Sequence, residues 1–331
     1  MIRNRCVAGA ARWAMCSLVL AILAEPVAWG TMDSDPAAAQ RLDRLVRAAR
    51  TFNYDATFVY HHDGKMDEMR IIHRYANGEE RERLVTLSGS TREVLRDQAK
   101  VTCIIPDDQT VVVGKSRPQS VYGTPVLTAS GYREHYRLTL LGAARTAGRS
   151  AEIISIEPRD LFRYGYRLWL DEQTGLLLRS ELRDPAGKIL ESVVYTNLAT
   201  PETIPDSLLR PEISGNGFSW YTTLDSMELP KRSSKWAPGW LPKGFSMRER
   251  EETPLPSGKM PLEHLVYGDG LASLSIYVEQ LPKSAPALIG ASRMGAVNAF
   301  GAMIGEFQLT VVGEVPLETV RKVAQSIDYR G

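Results

Sequence analysis

The chain has 331 residues, 44% of them apolar, with 40 Lys and Arg against 39 Asp and Glu, giving a formal charge of +1. That length exceeds one small core and favours two domains. The near-neutral balance argues against a dedicated nucleic-acid binder, which carries a basic excess.

Residues 1–30 read as a secretory signal peptide. Arg3, Arg5 and Arg12 make a basic leader, residues 15–23 are an apolar run, and Ala28-Trp29-Gly30 offers a cleavage site. The apolar run is too short to span a bilayer. Three positive charges and Glu25 leave with it, which takes the formal charge from +1 to −1. The mature protein is then expected to be soluble outside the cytoplasm. Cys6 and Cys16 lie in the leader, and the sequence around Cys16 lacks the Leu-small-small pattern of a lipidation site. Cys103 remains alone, so no internal disulfide can form; its apolar flanks suggest a buried strand thiol.

Asp35 and Pro36 supply an N-cap and a first helical residue. Leu42, Leu45, Val46 and Ala49 then share one face of a predicted helix, wide enough to cover a sheet. From Phe52 the period changes to two: Tyr54, Ala56, Phe58 and Tyr60 alternate with Asp55, Thr57, Val59 and His61. Turns at Asp63-Gly64 and Asn77-Gly78 imply hairpins. Short strands follow at 92–97, 101–105 and 110–113. Residues 121–144 are less regular, with a short helix expected over 133–141. A strand at 151–158 leads into the most regular stretch, 164–198, which reads as three antiparallel strands joined by turns at Gln173-Thr174-Gly175 and Asp184-Pro185-Ala186-Gly187.

Residues 211–235, rich in Ser, Gly and Pro, read as a linker. A second unit over 236–331 shows strands at 263–267, 271–279 and 307–313. Pro316 opens a last helix with Leu317, Val320, Val323, Ala324 and Ile327 on one face. The run 294–304 is compatible with either a helix or a strand. The fold class is therefore α+β. A large curved antiparallel sheet with packed helices fills 31–210, and a smaller α+β domain follows the linker.

The search for chemistry returns little. HExxH, CxxC, GxSxG and a strand-borne GxGxxG are all absent. Gly114-Lys115-Ser116 resembles the end of a phosphate loop, but Gln109 stands where the upstream Gly is required. His61 and His62 point to opposite faces of a strand, so they chelate poorly together. The charged run 78–83 suits a solvated edge strand. Trp236 and Trp240 fit either exposed anchors or core plugs, with the core reading favoured. No catalytic residue, metal ligand or cofactor motif emerges, and the pattern favours a binding protein over an enzyme.

The whole mature chain resembles the MucB/RseB family of periplasmic regulators of the envelope-stress sigma factor. The resemblance rests on Thr57-Phe58-Val59-Tyr60, Arg81-Glu82-Arg83-Leu84, Arg92-Glu93-Val94 and Arg163-Tyr164-Gly165 with the strands after it. In the second domain it rests on residues 240–245, 267–279 and 311–316. The first domain also resembles the LolA-type lipoprotein carriers, which implies a half-open β-barrel around helices. The family implies binding to the periplasmic segment of a transmembrane anti-sigma factor and shielding of that segment from proteolysis. Release would follow a lipid or lipopolysaccharide signal. On this reading the lipid cavity would be lined by Phe58, Tyr60, Ile72 and Trp169, and the partner would meet Trp240, Phe245 and Tyr277. A homo-oligomer stays open. The rival readings are a periplasmic lipid or lipoprotein carrier and a secreted hydrolase.

Overall fold

Asp35 caps the first helix as its sequence predicts: its carboxylate accepts the Ala37 N–H at 2.8 Å, and Pro36 occupies the first turn of α1 (Pro36–Thr51). The structure, a computed structural model, describes residues 34–116, 133–222, 234–253, 262–282 and 285–330. The expected leader lies outside the described residues. Helix α1 buries Ala38, Ala39, Leu42, Leu45 and Ala48. The buried stripe thus keeps Leu42 and Leu45 but runs through Ala38 and Ala48 rather than Val46 and Ala49. The small alanines let the helix sit close to the sheet.

Twelve strands form the large sheet: β1 (Tyr54–His62), β2 (Lys65–Ala76), β3 (Glu79–Thr86), β4 (Glu93–Arg96), β5 (Lys100–Ile105), β6 (Thr110–Lys115), β7 (Tyr136–Thr146), β8 (Arg149–Pro158), β9 (Gly165–Asp171), β10 (Leu177–Arg183), β11 (Ile189–Ala199) and β12 (Ser219–Thr222). Their order is β12-β6-β5-β4-β3-β2-β1-β11-β10-β9-β8-β7. Strand β1 therefore joins two meanders, and β12 and β7 end the sheet without pairing to each other, so it stays open. Strand β12 adds parallel to β6. It lies inside the stretch read as a linker, while 223–233 fall outside the described residues.

Period-two alternation gives the sheet two different faces. Tyr54, Ala56, Phe58, Ile71, Leu84, Ile154, Leu168 and Val193 share one buried cluster with the α1 residues. The opposite face is covered in part by residues 204–209, where Ile204 and Leu209 pack on Ile72. Beside them the buried Arg83 holds the buried Glu93 at 2.8 Å. The helix expected over 133–141 does not form. Tyr136, Leu138 and Leu140 alternate with Arg137 and Thr139, and this segment is strand β7, paired to β8 over its length. A period-two pattern beats helix propensity when a partner strand is adjacent.

The C-terminal strands form a six-stranded sheet ordered β14-β15-β16-β19-β18-β17. They are β14 (Ser246–Thr253), β15 (Leu262–Gly268), β16 (Ser273–Gln280), β17 (Gly290–Met294), β18 (Val297–Ile304) and β19 (Phe307–Gly313). The ambiguous run 294–304 is thus mostly strand. Helix α2 (Leu317–Gln325) packs on β18 and β19, and a short pair, β13 (Trp236–Pro238) with β20 (Ile327–Tyr329), closes one side. Trp236, Leu265, Ile276, Val311, Val320 and Val323 form this core. Each sheet has its own core, and residues 34–331 together make one compact unit.

Candidate functional site: the seam between the two sheets

The two sheets meet along a seam built largely from polar side chains. Its centre is Arg163, fully buried just before β9. Arg163 donates Nη1 to Asp269 Oδ2 at 2.5 Å and Nη2 to the Lys243 carbonyl at 2.7 Å, and Nε reaches Asp160 at 3.2 Å. The guanidinium lies between the rings of Tyr136, at 5.5 Å, and Phe245, at 5.3 Å. A buried cation is tolerated only when paired and hydrogen-bonded, and here each edge of the guanidinium finds an acceptor. Asp269 also accepts the Leu271 and Ala272 N–H groups, which fixes the turn between β15 and β16. The Tyr136 hydroxyl donates to the same carboxylate at 3.2 Å. Burial, then the negative charge of Asp269, push that phenol well above its ordinary value, so it stays a donor. Leu271, carried by the turn, packs into the core of the large sheet.

Two further rungs flank this centre. In the first, Asn298 Nδ2 donates to the Tyr164 hydroxyl at 3.0 Å and to the Val315 carbonyl at 2.7 Å. Thr319 Oγ1 donates to the Phe162 carbonyl at 2.8 Å, and the Phe162 ring meets Trp240 edge-on at 4.9 Å beneath Lys322. In the second, Glu191 on β11 accepts the Ala296 N–H at 3.0 Å and the Tyr60 hydroxyl at 2.6 Å. Glu314 is solvent-accessible as a residue, but its carboxyl turns to the Tyr166 hydroxyl and faces Glu191. Desolvation at the seam, then Glu191, push it up to about 7. A cleft of about 360 Å³ opens beside these rungs, lined by Tyr164, Asp184, Leu190, Arg293, Asn298 and Leu317.

The residues chosen from sequence are distributed differently. Phe58 and Tyr60 lie on the helix-covered face; Phe58 is fully buried against Tyr195, and Tyr60 reaches the seam through Glu191. Ile72 pairs with Asp55 and Trp169 with Arg179, which puts both on the opposite face. Ile72 therefore lies apart from Phe58 and Tyr60, because a one-residue offset in a strand reverses the side chain, while Trp169 still joins the buried cluster that holds Phe58. Trp240 and Phe245 sit at the seam, and Phe245 is buried rather than an exposed anchor. Tyr277 on β16 stacks on His264 at 4.3 Å. Arg163, Asp269, Asn298, Glu191 and Glu314 were not foreseen as a group. Arg163-Tyr164 and the turn at Asp269 both lie in the resemblance motifs, but their pairing across 106 positions leaves no local trace. His62 pairs with Asp67 at 2.8 Å, and no cluster of three or more metal-ligating side chains occurs among the described residues.

A curved sheet seated on a helix, with a second sheet bonded to its end through a polar seam, defines a two-module binding scaffold. Sequence models of the MucB/RseB N-terminal domain and of the MucB/RseB C-terminal domain match residues 37–213 and 230–328. The chain belongs to the MucB/RseB family. It is 33% identical over 304 residues to the sigma factor AlgU regulatory protein MucB of Pseudomonas aeruginosa, spanning 88% of this chain and 90% of that protein. It is 26% identical over 310 residues to the sigma-E factor regulatory protein RseB of Escherichia coli K12, spanning 89% and 91%. A solved MucA/MucB complex from P. aeruginosa superposes with a TM-score of 0.70 at 30% identity, covering 89% of this chain and 99% of that one. A second structure, MucB with MucA(peri), gives 0.69. These relatives are regulatory proteins.

Proposed function

We propose that this chain is a periplasmic negative regulator of an envelope-stress sigma factor. It binds the periplasmic segment of a transmembrane anti-sigma factor, shields it from regulated proteolysis, and lets go on a lipid or lipopolysaccharide signal. The observation that carries this reading is the match to MucB over 89% of the chain, and the solved MucB complexes contain MucA. The leader expected from sequence supports a periplasmic location. The seam supports a regulated binder because it joins the modules through bonds that water and protons can compete for, rather than through one apolar core. A lipid carrier is less favoured, since Phe58 and its neighbours are buried beneath α1.

The test is a protection assay. The anti-sigma periplasmic segment is digested by its protease with and without the mature chain, and lipopolysaccharide is then added. Protection that lipopolysaccharide reverses is the expected result. Unchanged cleavage at saturating concentrations of the chain would end the regulatory reading.

A further inference from the structure

On the face of the large sheet opposite α1, strands β7 to β10 carry a ladder of guanidinium and carboxylate groups. Arg179, Glu181 and Arg183 follow one another on the same face of β10. The buried Glu181 accepts Arg179 at one oxygen and Arg183 at the other, each at 2.5 Å. On β8, Glu157 accepts Arg137 at one oxygen and the Ser155 hydroxyl, at 3.2 Å, at the other. Arg167 on β9 stands between these two groups, in register with Glu181 on one side and Ser155 on the other. Both carboxylates are taken up by other partners. Among the described residues Arg167 has no hydrogen bond or ion pair, and its Nε is buried without a partner. A buried guanidinium Nε without a partner among the described residues carries a desolvation cost that an anionic ligand would remove.

Four arginines against two carboxylates leave an excess of two positive charges on this patch. The hydrogen bond from Arg137, with help from Arg167, holds Glu157 below the usual carboxylate range, so Glu157 stays ionised at neutral pH. Arg137 and Arg179 keep 43% and 38% of their side chains in solvent, so the patch is open to a ligand.

We propose that this arginine ladder is a docking surface for an acidic, extended polypeptide segment, with Arg167 as the fork that receives a carboxylate. The inference deepens the regulatory reading above by giving the anti-sigma segment a place to lie. A carboxylate fits better than a phosphate for two reasons. The site already holds carboxylates in this manner at Glu181, where planar forks meet planar acceptors. A dianionic phosphate would also concentrate two negative charges between Glu181 and Glu157, whereas an acidic segment spreads single charges along the ladder and so matches its excess of two. The open strand surface, with Leu141 exposed on β7, suits an extended chain crossing it.

The test uses the mature chain and a fluorescent peptide of alternating glutamate and threonine, beside its glutamine-threonine counterpart and inorganic phosphate. The glutamate peptide is expected to bind with an affinity that falls as salt rises. Arg167→Gln should weaken it about tenfold or more, Arg167→Lys should fall between, and Arg321→Gln on α2 should leave it unchanged. An unaltered urea midpoint in Arg167→Gln confirms that the fold is intact. Equal binding of the glutamine peptide, displacement by phosphate at the same concentration, or wild-type affinity in Arg167→Gln would each overturn the surface. Protection of the anti-sigma segment by Arg167→Gln equal to wild type would leave the regulatory reading standing and remove this surface. Peptide capture by a chain that protects nothing would do the reverse.

Discussion

Replacing Asp269 by Ala tests whether the seam is held by its buried ion pair. The substitution leaves Arg163, fully buried, without its closest counter-charge, and deprives the Tyr136 hydroxyl and two turn N–H groups of their acceptor. Removing one partner of a buried pair costs about 3–5 kcal/mol. Asp160 and the Lys243 carbonyl still engage the guanidinium, so the lower end, about 3 kcal/mol, is expected. That is a large share of a total stability of about 5–15 kcal/mol. The assay is urea unfolding of the mature chain, followed by tryptophan fluorescence and by far-ultraviolet circular dichroism. Trp240 lies at the seam against Phe162, so fluorescence should report the loss at lower urea than circular dichroism does. The double variant Arg163→Met, Asp269→Leu removes both charges and should recover most of the loss, because an apolar pair carries no desolvation cost. A cost under about 1 kcal/mol for Asp269→Ala with coincident transitions, or a double variant no better than the sum of the singles, would refute the argument.

Two other outcomes follow from the same seam. Gly244 has φ of +89°, and a Cβ there would collide with the His135 ring, so Gly244→Ala should destabilise by about 1–3 kcal/mol or more, read as a shift in the urea midpoint. Glu314 takes up its proton more readily in the folded seam than in the unfolded chain, since its carboxyl is pushed from 4.5 up to about 7. The folded state therefore holds more protons between those values, and stability should fall as pH rises from about 4.5 to about 7 and then level off. Glu314→Gln should flatten that limb of the urea-midpoint profile, and an unchanged slope in the variant would assign it to another group.

Much of the architecture was legible because it is written locally. The 164–198 stretch alternates cleanly and becomes β9 to β11 with the turns where Gly and Pro stand, and Asp35-Pro36 starts α1 at its predicted residue. Where tertiary pairing decides, local reading failed: 133–141 became a strand because β8 lies beside it, and 219–222 joined the sheet by pairing with β6. Faces were harder still. Ile72 and Phe58 are both apolar strand residues, yet the two-residue turn at Asp63-Gly64 pairs Ile72 with Asp55 and sends the two to opposite sides, which apolarity alone does not show. The seam was invisible for a different reason. Arg163 and Asp269 are ordinary charged residues until the fold removes both from water, and burial is a property of the assembled chain.

Magnitudes also say which part of the seam a signal can move. Allosteric coupling between two ligands is typically about 1–3 kcal/mol, whereas parting Arg163 from Asp269 while either stays buried costs about 3–5 kcal/mol. A ligand shifts an equilibrium only by its differential affinity for the two states, so a signal of ordinary strength cannot part the modules at that pair. The rung of Glu191, Glu314 and Ala296 is different: it sets two carboxylates face to face beside a cleft open to water. If release works by moving one module against the other, the motion pivots on Arg163 and opens at Glu191. Hydrogen exchange can separate the two ends. The Leu271 and Ala272 amides, held by Asp269, should stay protected when the releasing ligand is added, while the Ala296 amide, held by Glu191, should exchange faster. Equal acceleration at both ends would mean that the modules separate altogether and that Arg163 is not the pivot.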